Sequence, residues 1–282
     1  MQFVEVGGIQ YEVLPWKQGI VQRVVNPLRN VLLPGSFLRY IMSRSRSRLI
    51  AESMDRPGGW RSMRIVYANE DPSGILDRMA VRYNPISMAS RNRRKLVVSL
   101  LTELIDQRAD SGRLEIIGIG AGPGVHVQDA ICNSKIDRAD VHAYLIDRDD
   151  DAFEYGRTCA ASRGIENCIS FVQGDAREIR KVLPEVSPQI VKIVGLLEYL
   201  TNEQAVDLLR VLHEKMPTGG QILTHGFVDR FHTARFLRRT FGLHHVYRTD
   251  MQVQRMLESV GFHVDRKYEE PLRIYPILIA TR

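Results

Sequence analysis

Leu114-Glu115-Ile116-Ile117-Gly118-Ile119-Gly120-Ala121-Gly122-Pro123-Gly124 reads as an apolar strand running into a glycine-rich turn, with a helix opening near Val125. Glycines at 120, 122 and 124 let the backbone turn tightly and approach a ligand, and the free amides of the helix N-terminus face its polar groups. Nucleotide-dependent dehydrogenases use such a turn too, so the turn alone does not name the ligand. Twenty-three residues past Gly124, the apolar strand at 143–146 ends at Asp147, with Arg148 beside it. An acid there can accept hydrogen bonds from both hydroxyls of a ribose. Acids also cap following helices, and Asp149, Asp150 and Asp151 crowd the same turn, so both roles stand open for the carboxylates.

Outward from this stretch, apolar runs alternate with helical patterns at short spacing, the signature of an α/β fold with a parallel sheet under two helical layers. Strands are expected at 113–119, 140–147, 168–173, 189–195, 219–226, 262–269 and 272–280. Helices are expected at 124–134, 150–163, 176–183, 202–215 and 249–260. The last opens on Thr249-Asp250-Met251-Gln252, which fits a capping box.

Residues 1–112 break the rhythm and are expected to form a basic, mostly helical appendage or lid beside a core at 113–282. A hairpin around Gly7-Gly8 and helices at 28–54 and 87–108 are expected. The chain carries +6 in net charge, and residues 1–110 hold 17 Lys and Arg against 10 Asp and Glu, leaving 22 against 23 elsewhere. Such a patch attracts nucleic acid or an anionic substrate, although solvated arginine faces are commoner. Ser43-Arg44-Ser45-Arg46-Ser47-Arg48 reads as a solvated helix face, while Tyr83-Asn84-Pro85 and Arg91-Asn92-Arg93-Arg94 are candidates to close over a ligand, with a solvated basic face as the alternative for the arginines. An aromatic segment at 227–248 follows the fifth strand and could wall the site.

Further motifs lie at the other strand ends: Phe171-Val172-Gln173-Gly174-Asp175-Ala176, Gly195-Leu196-Leu197-Glu198-Tyr199-Leu200, Gly219-Gly220, and Ser259-Val260-Gly261-Phe262. With the glycine turn and Asp147, they make residues 90–282 resemble the class I S-adenosylmethionine (SAM) dependent methyltransferases. The resemblance implies a seven-stranded Rossmann-like sheet in the order 3-2-1-4-5-7-6 with strand seven antiparallel. It also implies SAM as cofactor, held by Gly120, Gly122, Gly124, Asp147 and Arg148, by Gly174, Asp175 and Ala176 at the adenine, and by Gly195. One departure stands out: Gly118 occupies the position where the family carries an acid that helps hold the methionine ammonium. Glu115 lies three residues earlier and so points to the opposite face of the strand.

Methyl transfer is an in-line displacement helped mainly by alignment and desolvation, and a base is needed only when the acceptor must lose a proton. Candidates are His225, Glu198 and Tyr199, with His244, His245 and Tyr247 in the aromatic segment; each also has a packing role available. The leading expectation is a methyltransferase acting on a small molecule. A second keeps the fold but makes SAM the substrate, closing to azetidine-2-carboxylate and methylthioadenosine, as in the azetidine-2-carboxylate synthases. A third is an RNA-binding or RNA-modifying protein using the basic segment. Cys132, Cys159 and Cys168 have no metal-ligand spacing, so no metal is expected. No apolar run reaches a membrane span, and Glu5 stands where a secretory signal needs basic residues. A cytoplasmic enzyme without membrane contact, compatible with a homodimer, is expected.

Overall fold

Strands in a parallel sheet covered on both faces must be apolar throughout rather than alternating. In the computed structural model Ile116, Ile117, Ile119, Leu145, Ile146, Ile190, Val191 and Ile193 are all fully buried. The structure describes residues 2–70, 74, 78–109, 112–182 and 185–282. Residues 1, 71–73, 75–77 and 110–111 of the expected appendage, and Leu183 at the end of the helix expected over 176–183, lie outside the described residues.

In chain order the elements are β1 (Gln2–Val6), β2 (Ile9–Val13), α1 (Trp16–Leu32), α2 (Gly35–Ser43), α3 (Arg48–Asp55), α4 (Trp60–Ala68), α5 (Pro85–Asp106), β3 (Leu114–Ile119) and α6 (Val125–Asn133). There follow β4 (Val141–Asp147), α7 (Asp150–Ser162), β5 (Ile169–Gln173), α8 (Ile179–Val182), β6 (Ile190–Ile193), α9 (Asn202–Lys215) and β7 (Gln221–His225). The chain ends with α10 (Ala234–Phe241), α11 (Asp250–Glu258), β8 (His263–Tyr268) and β9 (Ile277–Thr281). It divides into two compact units, residues 1–95, 227–247 and 269–275 in one, and 96–226, 248–268 and 276–282 in the other.

The second unit holds the seven-stranded sheet, ordered β5-β4-β3-β6-β7-β9-β8. Numbered by themselves, these strands run 3-2-1-4-5-7-6, and β9 is antiparallel to both neighbours, as the sequence predicts. On one face Ile117, Ile119, Val191, Ile193 and Ile222 pack with Leu208, Leu209 and Leu212 of α9 and with Val253 and Leu257 of α11. Both helices open on capping boxes, Thr201 with Gln204 and Thr249 with Gln252. The chain reverses direction across the sheet between β3 and β6, and α/β sheets open their ligand crevice at such a point.

Among the strands that fall short of the expected bounds, two do so for local reasons. The strand read at 272–280 begins only at Ile277, because the buried Glu270 carboxylate accepts hydrogen bonds from the N–H groups of Leu272, Ile274 and Tyr275 and bends that stretch into a turn. The strand read at 189–195 ends at Ile193, and Gly195 leaves it with φ +86°.

The first unit corrects several expectations. The helix at 28–54 is three helices, and the first starts at Trp16 with Pro27 inside it rather than at its start. Pro34 disfavours helical geometry at Leu33 and separates α1 from α2. The arginine-serine run is a link between α2 and α3 instead of a helix face: Ser45 Oγ accepts from Ser47 N–H and Ser47 Oγ from Ile50 N–H. Serines bonded to nearby backbone in this way oppose helix and favour caps. Nor is Arg91-Asn92-Arg93 a solvated face, since all three are buried. Arg91 makes a bidentate pair with Glu12, both contacts 2.6 Å, and donates to the carbonyls of Val66 and Val81. Asn92 bonds both backbone groups of Glu12, and the Arg93 guanidinium lies 4.2 Å from the Tyr275 ring centroid.

A buried pair tolerates loss of one partner poorly, because the other charge stays buried. Glu12→Gln and Arg91→Met should each lower the unfolding free energy by about 3–5 kcal/mol. Urea denaturation gives this directly, and a loss below about 1 kcal/mol for both would show that the pair does not hold the unit.

Candidate functional site

The site is built at the carboxyl ends of β3, β4, β5 and β6. Gly120 has φ +58°, and a Cβ there would sit 2.9 Å from Leu196 Cβ in the turn after β6. Gly124 has φ +73°, and a Cβ there would collide with Leu145 Cδ1. The loop therefore lies against both neighbouring strand ends at a distance that only glycine allows.

Asp147, half-buried at the end of β4, fixes the loop's outer side. Its Oδ2 accepts from Gly122 N–H at 2.7 Å and its Oδ1 from Asp149 N–H at 3.0 Å. The cap position of α7 belongs to Asp149, which makes no side-chain cap bond, so Asp147 orders the approach to that helix and the loop at once. Each carboxylate oxygen has two lone pairs, leaving acceptor capacity directed at the crevice. Arg148 is exposed, and its charge reaches Asp175.

At the end of β5, Gly174 N–H donates to the Asp147 carbonyl at 2.9 Å. Asp175 accepts from Arg177 N–H and pairs with its guanidinium at 2.5 Å. That pairing outweighs burial, which acts the other way, and holds its carboxyl down to about 2, so Asp175 is ionised at any working pH. Ala176 is buried just beyond. Arg177 was not singled out by the sequence, where it reads as one more exposed cation.

The end of β6 is the most constrained corner. Gly195 N–H donates to His225 Nε2 at 2.8 Å, and His225 Nδ1 lies 2.6 Å from the Gly226 carbonyl, so the ring is neutral with its proton on Nδ1. Both nitrogens are thus engaged, and the lone pair on Nε2 accepts from Gly195. Glu198 is buried with Oε2 3.8 Å from His225 Nε2. Tyr199, on the same short 3-10 turn, is 44% exposed. Arg248 locks this turn, donating to the Leu197 and Leu200 carbonyls at 2.6 and 2.7 Å and to Asn202 Oδ1. Burial lowers the Arg248 pKa and the charge of Glu198 opposes that shift.

The structure thus brings Gly120, Gly122, Gly124, Asp147, Gly174, Asp175, Gly195, Glu198 and His225 to the strand ends of one sheet. His244, His245 and Tyr247 belong to the other unit, where His245 and Tyr247 ring Phe227 at centroid distances of 5.2 and 4.6 Å. Burial and the neighbouring His244 push the His245 pKa down to about 4. Gly118 lies in β3 between Leu145 of β4 and Lys192 of β6. Lys192 is buried, with Nζ 3.3 Å from the Val194 carbonyl. The sequence signal for it was a single charge inside Ile-Val-Lys-Ile-Val; Arg248 carried no comparable signal.

Among the described residues, no group of three His, Cys, Asp or Glu could hold a metal ion, and no helix is long and apolar enough to cross a membrane. A family model described as "Putative methyltransferase" matches residues 59–268. No curated protein matches the chain by sequence. Among solved structures, the chain resembles a protein of Bordetella parapertussis described as a "possible exported protein", with 17% identity and a TM-score of 0.67 over 94% of this chain and 95% of that one. It also resembles magnesium protoporphyrin IX methyltransferase from Synechocystis PCC 6803 with bound SAH, at 13% identity, TM-score 0.58, 84% of this chain and 100% of that one. An O-methyltransferase family protein from Burkholderia thailandensis aligns at 13% identity and TM-score 0.55, over 96% and 85%. At such identities the likeness to these structures establishes the fold.

Arg248→Met strips two buried carbonyls of their donor and should cost about 2–4 kcal/mol of stability. Chemical denaturation measures that loss; an unchanged midpoint would mean that the turn after β6 holds itself.

Proposed function

The chain belongs to the methyltransferase family whose model spans residues 59–268, and on that premise we propose that it transfers the methyl group of SAM to a small-molecule acceptor. The observation that carries this reading is the glycine loop at 120–124, bonded through Gly122 N–H to the Asp147 carboxylate at the sheet's reversal point. The residues present fit the nucleoside half of SAM. Glycines at 120 and 124 let the loop pack against Leu196 and Leu145 and keep its backbone amides free of side chains; Asp147 offers acceptors to the ribose hydroxyls, and Asp175 stands ionised at the end of β5.

Bound there, SAM supplies an electrophilic methyl on a sulfonium, and its departure leaves a thioether that needs no proton. The work left to the chain is alignment and exclusion of water. Asp147 and the loop amides fix the nucleoside. Gly195, held by His225, and the turn locked by Arg248 set the edge facing the reacting atoms. Where the acceptor carries a proton, we assign its removal to Glu198, buried at that edge, with His225 as the residue that positions Gly195.

A second reading is favoured by one observation, the absence of a carboxylate at Gly118. There SAM itself is consumed: its neutral amine attacks its own γ-carbon, the carbon–sulfur bond breaks, methylthioadenosine leaves, and the ring nitrogen gives its extra proton to water.

Calorimetric titration should show SAM binding that weakens at least about tenfold in Asp147→Ala, the loss of two charge-assisted hydrogen bonds. Incubation with SAM alone, followed by mass spectrometry, separates the readings. SAM left intact until an acceptor is added supports methyl transfer, methylthioadenosine with a four-carbon cyclic amino acid supports the second reading, and failure of SAM to bind removes both.

A further inference from the structure

The row of residues that crosses the sheet at Gly118 has an unusual charge. Gly118 is paired in register with Leu145 of β4 on one side and with Lys192 of β6 on the other, and Lys192 with Leu223 of β7. Partners in parallel strands point to the same face, so these four positions form one line. A Cβ at Gly118 would stand 3.0 Å from Leu145 Cδ2, with Ala121 Cβ and Val127 Cγ2 just beyond. The space of a residue-118 side chain is thus bounded by apolar atoms, and the charge of the row is the ammonium of Lys192.

That ammonium is held at the open end of the strand. Lys192 is 2% exposed, and its stem runs along β6 to put Nζ 3.3 Å from the carbonyl of Val194. The next residues, Gly195 and Leu196, bring the chain against the glycine loop, with Leu196 beside Gly120. The cation therefore lies in the crevice between the first and fourth strands of the sheet, on the side of the loop away from Asp147. In the proposed reading the nucleoside sits at Asp147, and we assign the rest of the ligand to this opposite side of the loop.

Resting on the reading of SAM as ligand, we propose that Lys192 binds the α-carboxylate of the methionine end, so that this site selects its ligand by the carboxylate instead of by the ammonium. A like charge beside the ammonium disfavours it, and an opposite charge beside the carboxylate favours it, within a crevice where burial limits screening. The amino group is thereby left without an acidic partner on β3.

The test uses the full chain and four uncharged-sulfur probes in calorimetric titrations. They are S-adenosylhomocysteine, its deaminated analogue 5′-S-(3-carboxypropyl)-5′-thioadenosine, its decarboxylated analogue 5′-S-(3-aminopropyl)-5′-thioadenosine, and methylthioadenosine. The carboxypropyl probe should bind about as well as S-adenosylhomocysteine, and the aminopropyl probe roughly 10- to 100-fold more weakly, as one charge-assisted contact requires. Lys192→Met should abolish that preference while methylthioadenosine binds within about twofold of the parent chain, and Lys192→Arg should retain the preference. An aminopropyl probe bound as tightly as the carboxypropyl one would overturn the proposal. So would equal weakening of all four probes by Lys192→Met, which would make Lys192 a structural residue. Failure of every probe, methylthioadenosine included, on the parent chain would instead bring down the SAM reading on which the proposal rests.

Discussion

The carboxylate of Asp147 holds two backbone amides at once, that of Gly122 in the glycine loop and that of Asp149 at the approach to the next helix. Through its own carbonyl the same residue also takes the N–H of Gly174 at the end of the third strand. One residue thus ties together three connections that a parallel sheet otherwise leaves independent. The positive-φ glycines allow the loop to come close enough, and the apolar strands beneath keep all three ends at a common level. What the crevice can recognise is set by that arrangement before any catalytic group is considered.

Around this anchor the molecule uses buried charge as a positioning device. Arg248 stitches the turn after β6 by its carbonyls, Arg91 joins the first hairpin to α4 and α5, and Glu270 bends the chain ahead of β9. Each carries multiple hydrogen bonds, which is the condition under which an ionised group is tolerated inside a protein. Lys192 is a further buried basic residue, and in the proposed reading its place beside Gly118 gives it a carboxylate to hold.

The strand order and the glycine loop with its neighbouring acid were legible because both depend on short-range sequence: uninterrupted apolar runs, glycines at fixed offsets, and an acid where a strand stops. The capping box at Thr249 was legible for the same reason. What escaped was long-range. Arg91 looks like part of a solvated patch until Glu12, nearly eighty residues earlier, supplies a carboxylate. The bond from Gly195 to His225, thirty residues on, has no local signal either. The arginine-serine run was misread because serine bonding to adjacent backbone competes with helix, a choice that periodicity does not register. That segments 227–247 and 269–275 join the first unit could not be read from order along the chain.

In the proposed reading the loop and the Asp147 carboxylate grip the part of the ligand that the reaction leaves untouched. Adenine and ribose are the same in the methyl donor and in the thioether left behind, so this half of the site retains spent nucleoside as firmly as it captures fresh. On that reading spent and fresh nucleoside compete for the same contacts, and the ratio of the two in the cell sets how much of the protein is open to fresh donor.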